Sequence, residues 1–252
     1  MTAPVTLITG ASAGLGVDFA RRYAARGHRL VLAARRLDRL EALASELGNA
    51  RAVAIDLSQA GAAEKLLADV TAAGEHVDLL VNNAGFGLVG RFDQLSGARQ
   101  REMIDLNVGA LTELAHGVVG PMKERGRGTI INVASTASFQ PGPGMAVYFA
   151  TKAYVLSFSE ALHEELKPHG VHVSALCPGP TSTEFGDVAG FGGNKAVETL
   201  AAEPGAVVDA GIAGADRNRA VVVPGMTNKL SAQANRFLPR AAIRKIVGII
   251  KK

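Results

Sequence analysis

Tyr148 and Lys152 stand four residues apart, and Ser135 lies thirteen residues before the tyrosine. On a helix, positions i and i+4 share a face, so the phenol and the ammonium lie side by side. A free tyrosine titrates near pH 10 (~10), too high to exchange protons readily at neutral pH. A cation beside it favours the phenolate and brings that pKa toward a usable range. Many helix surfaces carry such a pair by chance. It gains chemical meaning only beside a cofactor on which the proton transfer can act.

The cofactor signal sits near the N-terminus. Residues 5–9 form an apolar, β-branched run, as expected of a buried parallel strand. Gly10-Ala-Ser-Ala-Gly14-Leu-Gly16 follows at once, and residues 17–26 read as a helix ending at Gly27. In a strand–turn–helix unit of this kind, backbone N–H groups and the helix N-terminus receive a pyrophosphate. The glycines let phosphates approach the backbone with no Cβ in the way. The spacing is G-x-x-x-G-x-G, not the more common G-x-G-x-x-G.

A second strand over 29–34 ends at Ala34, followed by Arg35 and Arg36. A ribose-binding acid at this place would indicate NAD, whereas an arginine suits a 2′-phosphate and hence NADP. The plainer alternative is that both arginines open an exposed helix over 37–47. Strands over 51–55 and 76–81 end at Asp56-Leu57 and at Asn82-Asn83-Ala84-Gly85. Ligands of open parallel sheets lie beyond such strand ends. Asp56 could equally be a turn or capping residue, and the asparagines could serve loop backbone.

Thr9, Gly10, Gly14, Gly16, Asp56, Asn82-Asn83-Ala84-Gly85, Asn107, Ser135, Tyr148-x-x-x-Lys152 and Pro178-Gly179-x-x-x-Thr183 occur here in one order and spacing. Together they resemble the short-chain dehydrogenase/reductase family, in its branch of roughly 250 residues, over essentially the whole chain. The resemblance implies a Rossmann-like fold and hydride transfer with a nicotinamide cofactor. Tyr148 would then be the general acid/base. Lys152 would lower its pKa and bind the nicotinamide ribose. Ser135 would donate to the substrate oxygen, and Asn107 would hold a water near Lys152 in a proton relay. Cofactor contacts would come from Gly10, Ser12, Gly14, Leu15, Gly16, Arg35, Arg36, Asp56, Leu57, Asn83, Ala84, Gly85, Tyr148, Lys152, Pro178, Gly179, Thr181 and Thr183. The cofactor itself supplies the redox chemistry, and the protein supplies orientation and proton transfer.

Two departures qualify the resemblance. Ala13 stands where some NADP-binding members place a basic residue, so phosphate selection rests on Arg35, helped by Arg36. The stretch Phe139–Met145 is apolar and turn-forming, which weakens a role in reducing carrier-bound acyl chains. Ser138 is a weaker competitor for the substrate contact. A serine hydrolase reading fails because no histidine has an evident strand-end partner, although Gly10-Ala-Ser-Ala-Gly14 matches the bare G-x-S-x-G pattern. The six histidines show no metal-ligand spacing, so no metal site is expected.

The 252 residues, 48% hydrophobic, suffice for one large core. Alternating strands and helices, closing with strands over 171–176 and 220–223, predict a single α/β domain over 1–252. Its expected form is a doubly wound parallel sheet with helices on both faces. The single Cys177 excludes an internal disulfide and fits a reducing, cytoplasmic setting. No leader segment is evident before the first strand, and no apolar stretch is long enough to span a membrane.

The net charge of +4 is uneven: residues 229–252 hold seven Lys or Arg and no acid, leaving 20 basic against 23 acidic residues before them. This tail reads as a basic amphipathic helix that packs on the domain or on a second subunit; peripheral membrane contact is the lesser alternative. The charge is too local for nucleic-acid binding. Residues 184–216, glycine-rich at first, suggest a substrate flap. Phe86, Phe139, Met145, Phe185 and Phe191 are candidates to line an apolar pocket, which favours a small-molecule carbonyl or secondary alcohol with an apolar body. The expected protein is an NADP(H)-dependent oxidoreductase, a homodimer or homotetramer. The alternative is a non-catalytic NADP(H)-binding sensor or scaffold of the same fold.

Overall fold

The computed structural model describes residues 2–190, 201–234, 237 and 239–250. Seven parallel strands run in the order β3-β2-β1-β4-β5-β6-β7. They are β1 (Ala3–Thr9), β2 (Leu30–Ala34), β3 (Ala50–Ala54), β4 (Glu75–Asn82), β5 (Gly128–Val133), β6 (Val171–Leu176) and β7 (Val221–Val222). The edge strand expected over 220–223 is two residues long.

The strands carry unbroken apolar runs because both faces of the sheet are covered. Successive residues point to opposite faces. Leu7, Val31, Leu80 and Ile130 therefore pack on one side with Leu66, Leu114 and Met122. Their neighbours Ile8, Leu32, Val81 and Ile131 pack on the other with Phe19, Leu40, Val208 and Ile212. The first side is covered by α3 (Ala62–Ala72), α5 (Leu111–Arg125) and α6 (Ala146–Leu166). The second is covered by α1 (Leu15–Ala25), α2 (Leu37–Leu47) and α8 (Pro204–Asp216), the last after α4 (Gly97–Ile104) and the short α7 (Phe185–Ala189).

α8 narrows the expected flap. Val207, Val208, Ile212 and Ala215 are buried in the core, and Arg22 of α1 and Arg26 at its C-terminal cap pair with Asp209 and Asp216. Residues 204–216 thus belong to the helical layer. The tail forms α9 (Met226–Ala234) and α10 (Arg240–Ile250). Ile243 and Val247 of α10 are buried with Phe86, Met145, Tyr148 and Phe149, so this amphipathic helix turns apolar positions toward the domain. No described helix is long and apolar enough to cross a membrane.

Connections on the two sides of β1 run in opposite directions, leaving a crevice beyond the carboxyl ends of β1 and β4. Thr9 and Gly10 end one strand there, and Asn82 to Gly85 end the other.

Candidate active site

A cavity of about 1380 Å³ fills this crevice. One end is the turn between β1 and α1. Gly10 and Gly14 have φ of 66° and 54°, and a Cβ on Gly16 would stand 2.3 Å from the Gly10 carbonyl oxygen. Only glycine fits this turn. No side chain caps α1 at Gly14, so the helix N-terminus beside Leu15 and Gly16 is open to an anion. The cradle fits a pyrophosphate.

Asn83 holds the cradle from behind. Its Nδ2 donates to the Thr9 and Gly10 carbonyls at 2.9 and 3.2 Å, and Thr9 Oγ1 accepts from the backbone N–H of Asn83 and of Ala84, each at 3.0 Å. The loop-backbone reading of Asn83 therefore describes its side chain, while Asn83, Ala84 and Gly85 all border the cavity. Asn82 is buried away from it, donating to Asn132 Oδ1 at 3.0 Å and to the Leu111 carbonyl at 3.3 Å.

Arg35, Arg36, Asp56 and Leu57 line the same end. Arg35 is 62% exposed, with a loose contact of 3.5 Å to Glu102. Arg36 donates from Nε to Ser12 Oγ at 3.2 Å and from a guanidinium nitrogen to Glu184 at 3.0 Å. Asp56 accepts from the Ser58 N–H and hydroxyl at 3.0 and 2.8 Å. Burial pushes its carboxyl up, but the Ser58 bonds and the charge of Arg35 outweigh that and hold it below the ordinary range.

At the other end α6 presents Tyr148 and Lys152 on one face, 8% and 6% exposed. Lys152 Nζ lies 5.9 Å from the Tyr148 ring centroid and donates to the Val133 carbonyl at 2.7 Å. Burial pushes the Tyr148 phenol up to about 12, with the Ser135 hydroxyl working the other way. Burial also pushes Lys152 down to about 8. In the protein alone, desolvation therefore outweighs the activating effect expected from the lysine. Ser135 Oγ, just beyond β5, accepts from the Ala137 N–H at 3.1 Å and lies 3.4 Å from the Pro178 carbonyl. Ser138 is committed elsewhere, donating to the Lys152 carbonyl at 2.7 Å.

Asn107 sits in a π-helical turn, Asp105–Ala110, between α4 and α5. Its amide accepts from the Phe86 N–H at 3.1 Å and donates to the Phe86 carbonyl at 2.9 Å and to Thr151 Oγ1 at 3.2 Å. The side chain thereby fastens the segment after β4 to the helix that carries Tyr148. After β6, Pro178, Gly179, Thr181 and Thr183 border the cavity. Thr181 Oγ1 donates to the Gly179 carbonyl at 3.0 Å, and Thr183 Oγ1 accepts from the Phe185 N–H at 3.3 Å. Buried Cys177 is pushed up to about 12 by desolvation, which keeps it a neutral packing group.

Phe86, Met145, Phe149 and Phe185 flank Tyr148, with the Phe185 ring centroid 5.5 Å from that of the tyrosine. Phe139, the last residue of the short 3₁₀ turn Thr136–Phe139, packs instead with the cluster of Leu111 and Val155, outside the cavity lining. Phe191 lies outside the described residues. Sequence reasoning missed Glu184 and the Val133 carbonyl. An acid adjoining Thr183 was a signal for the first; a backbone group carries none.

The sequence profile described as short chain dehydrogenase matches residues 4–190. An NADP-dependent 3-hydroxy acid dehydrogenase of Salmonella typhi is 40% identical over 187 residues, 73% of this chain and 75% of that one. A short-chain dehydrogenase from Sphingobium yanoikuyae, solved in complex with NADPH, is 37% identical, covers 92% of this chain and 93% of its own, and superposes with a TM-score of 0.83. The bulky-bulky ketone specific alcohol dehydrogenase from Comamonas testosteroni is 33% identical, with coverage of 94% and 93% and a TM-score of 0.78. The chain belongs to the short-chain dehydrogenase family and is an oxidoreductase.

Proposed function

We propose that this protein is an NADP(H)-dependent carbonyl reductase or secondary alcohol dehydrogenase acting on substrates with an apolar body. NADP(H), when bound, supplies or accepts the hydride. The observation that carries the reading is the buried Tyr148–Lys152 pair at one end of a cavity whose other end is a phosphate cradle flanked by Arg35 and Arg36.

The roles of the chain's own residues follow from their places. Gly10, Ser12, Gly14, Leu15 and Gly16 receive the pyrophosphate, and Arg35 and Arg36 grip the 2′-phosphate. Asp56, Leu57, Ala84 and Gly85 border the adenosine half. Pro178, Gly179, Thr181 and Thr183 orient the nicotinamide. In reduction Tyr148 gives its proton to the substrate oxygen; in oxidation it takes that proton back. Ser135 donates a hydrogen bond to the same oxygen as charge develops on it. Lys152 supplies positive potential beneath the phenol, and Asn107 fixes the loop and helix whose separation sets the site. Cofactor binding would bring polar groups to the buried phenol, so its pKa in the complex falls below that of the protein alone.

The aromatic wall of Phe86, Phe149 and Phe185, with Met145, supports a bulky ketone over a small 3-hydroxy acid. A single buried cysteine suits a reducing cytoplasm. Association as a homodimer or homotetramer fits the outer face of α6, where half-exposed Tyr154 stacks on Phe158 at 5.6 Å. The test compares kcat/KM for NADPH-driven reduction of aryl ketones with that for NADP+-driven oxidation of 3-hydroxy acids. At least tenfold preference for aryl ketones is expected; the reverse preference overturns the substrate reading.

A further inference from the structure

Three consecutive residues after β6 touch three different parts of the cavity. Thr183 lies against the phosphate cradle: a Cβ on Gly14 would stand 3.1 Å from Thr183 Cβ. Glu184 turns the other way and places one carboxylate oxygen 3.0 Å from Arg36 and the other 2.6 Å from Arg39. Phe185 reaches the catalytic end and rests against Tyr148. Its ring tip also lies 3.1 Å from where a Cβ on Gly87 would stand, so the ring packs closely over that glycine on one side and borders the cavity.

Arg36 is the crowded member of this set. Its Nε and one terminal nitrogen face the Ser12 hydroxyl and carbonyl at 3.2 and 3.4 Å, and its other terminal nitrogen holds Glu184. The guanidinium therefore already has an anion, at the mouth of the cavity end where a 2′-phosphate must find its cations. A guanidinium binds phosphate most strongly when two of its N–H groups face the ligand. A dianionic phosphate brought to the same arginine meets the Glu184 carboxylate as a like charge. One of the two must yield.

We infer that Glu184 is a cofactor-selecting residue: its carboxylate stands in for the 2′-phosphate on Arg36 and Arg39 and is displaced by it. The displacement is passed through one peptide unit to Phe185 and so to the wall beside Tyr148. The inference rests on the reading that Arg35 and Arg36 hold the 2′-phosphate. Both ends of the ion pair are about half exposed, so solvent and salt screen it and the expected effect is several-fold.

Two measurements test it, neither using turnover. In the first, NADPH and NADH are titrated into wild type and Glu184→Gln, which keeps size and polarity but removes the charge. Glu184→Gln is expected to bind NADPH three- to tenfold more tightly, to bind NADH within twofold of wild type, and to lose most of the NADPH gain in high salt. Equal changes for both cofactors, no change, or weaker NADPH binding overturn the inference. In the second, Phe185→Trp introduces a single tryptophan into a chain that has none. Its emission is recorded with 2′,5′-ADP and with 5′-AMP, which lack the nicotinamide and differ only in the 2′-phosphate. A shift with 2′,5′-ADP well beyond that with 5′-AMP is expected; the same response to both overturns the coupling. Wild type that binds NADPH no more tightly than NADH refutes the arginine reading itself. A clear NADPH preference with an unmoved Glu184→Gln refutes this inference alone.

Discussion

The ammonium of Lys152 donates to the carbonyl oxygen of Val133 across 2.7 Å, tying the second turn of α6 to the last residue of β5. Ser135 follows Val133 by two residues, so this bond sets the spacing of the serine and tyrosine hydroxyls. The bond holds a charged group in a buried place, and that has a measurable consequence.

Desolvation lowers Lys152 from 10.5 to about 8. Between those values the unfolded chain binds more protons at this residue than the folded one, so its contribution to stability rises with pH across that window. Tyr148 acts oppositely: its pKa is raised from 10.0 to about 12, and its contribution falls as pH rises through that higher range. Subtracting the unfolding free energy of Lys152→Met from that of wild type isolates the lysine. The difference is expected to climb from pH 8 to pH 10 in urea titrations, and a flat difference would show an unperturbed lysine. Ketone reduction by wild type is expected to lose kcat/KM above about pH 8, as the ammonium of the free enzyme is lost.

Asn107 satisfies both backbone groups of Phe86 from a position 1% exposed. Asn107→Ala leaves a buried N–H and a buried carbonyl without this partner, and each such loss costs about 1–3 kcal/mol. A fall in unfolding free energy of about 2–4 kcal/mol is expected, with poorer kcat and KM because Phe86 lines the cavity. Urea denaturation checks the first part. Near wild-type stability would mean that water replaces the amide.

The parts of this architecture legible from sequence were those carried by local pattern. Val5 to Thr9 and Leu30 to Ala34 read as strands because burial on both faces demands unbroken apolar runs. Tyr148, Lys152 and Ser135 were legible because one helix and one strand end hold them at fixed spacing. The Glu184–Arg39 pair joins residues 145 positions apart, and nothing local announces it. The stretch 204–216 falls within the flap expected over 184–216 because the glycine-rich start of that segment, 184–193, reads as a loop. Val207, Val208 and Ile212, buried on one face, were the stronger signal for a core helix.

The C-terminal helix offers a test of where its apolar positions belong. Ile243 and Val247 share a cluster with Tyr148 and Phe149. Ile243→Ala is expected to destabilise the protein by about 2–4 kcal/mol, as buried large-to-small changes do, and to lower kcat/KM for bulky ketones more than for small ones. Co-sedimentation with anionic vesicles is expected to be negligible for wild type. Strong vesicle binding with unchanged stability in Ile243→Ala would place that face on lipid instead.

The roles of Tyr148 and Ser135 separate by size of effect. Tyr148→Phe removes the proton itself, so turnover is expected to fall by at least about 10³-fold, within the range attributed to a positioned acid or base. NADPH affinity should hold within about threefold, because the phenol lines the end of the cavity away from the glycine turn. Ser135→Ala removes a hydrogen bond that is strongest when negative charge sits on the substrate oxygen, and losing one such donor costs about 10²–10³ in kcat. It also removes the hydroxyl that opposes the upward shift of Tyr148. The acidic limb of the alcohol-oxidation profile, along which the phenol must ionise, should therefore move to higher pH in Ser135→Ala. A uniform loss at every pH would show that the serine acts on substrate alone. The paired measurement thus distinguishes a serine that stabilises the oxyanion from one that also tunes the acid beside it.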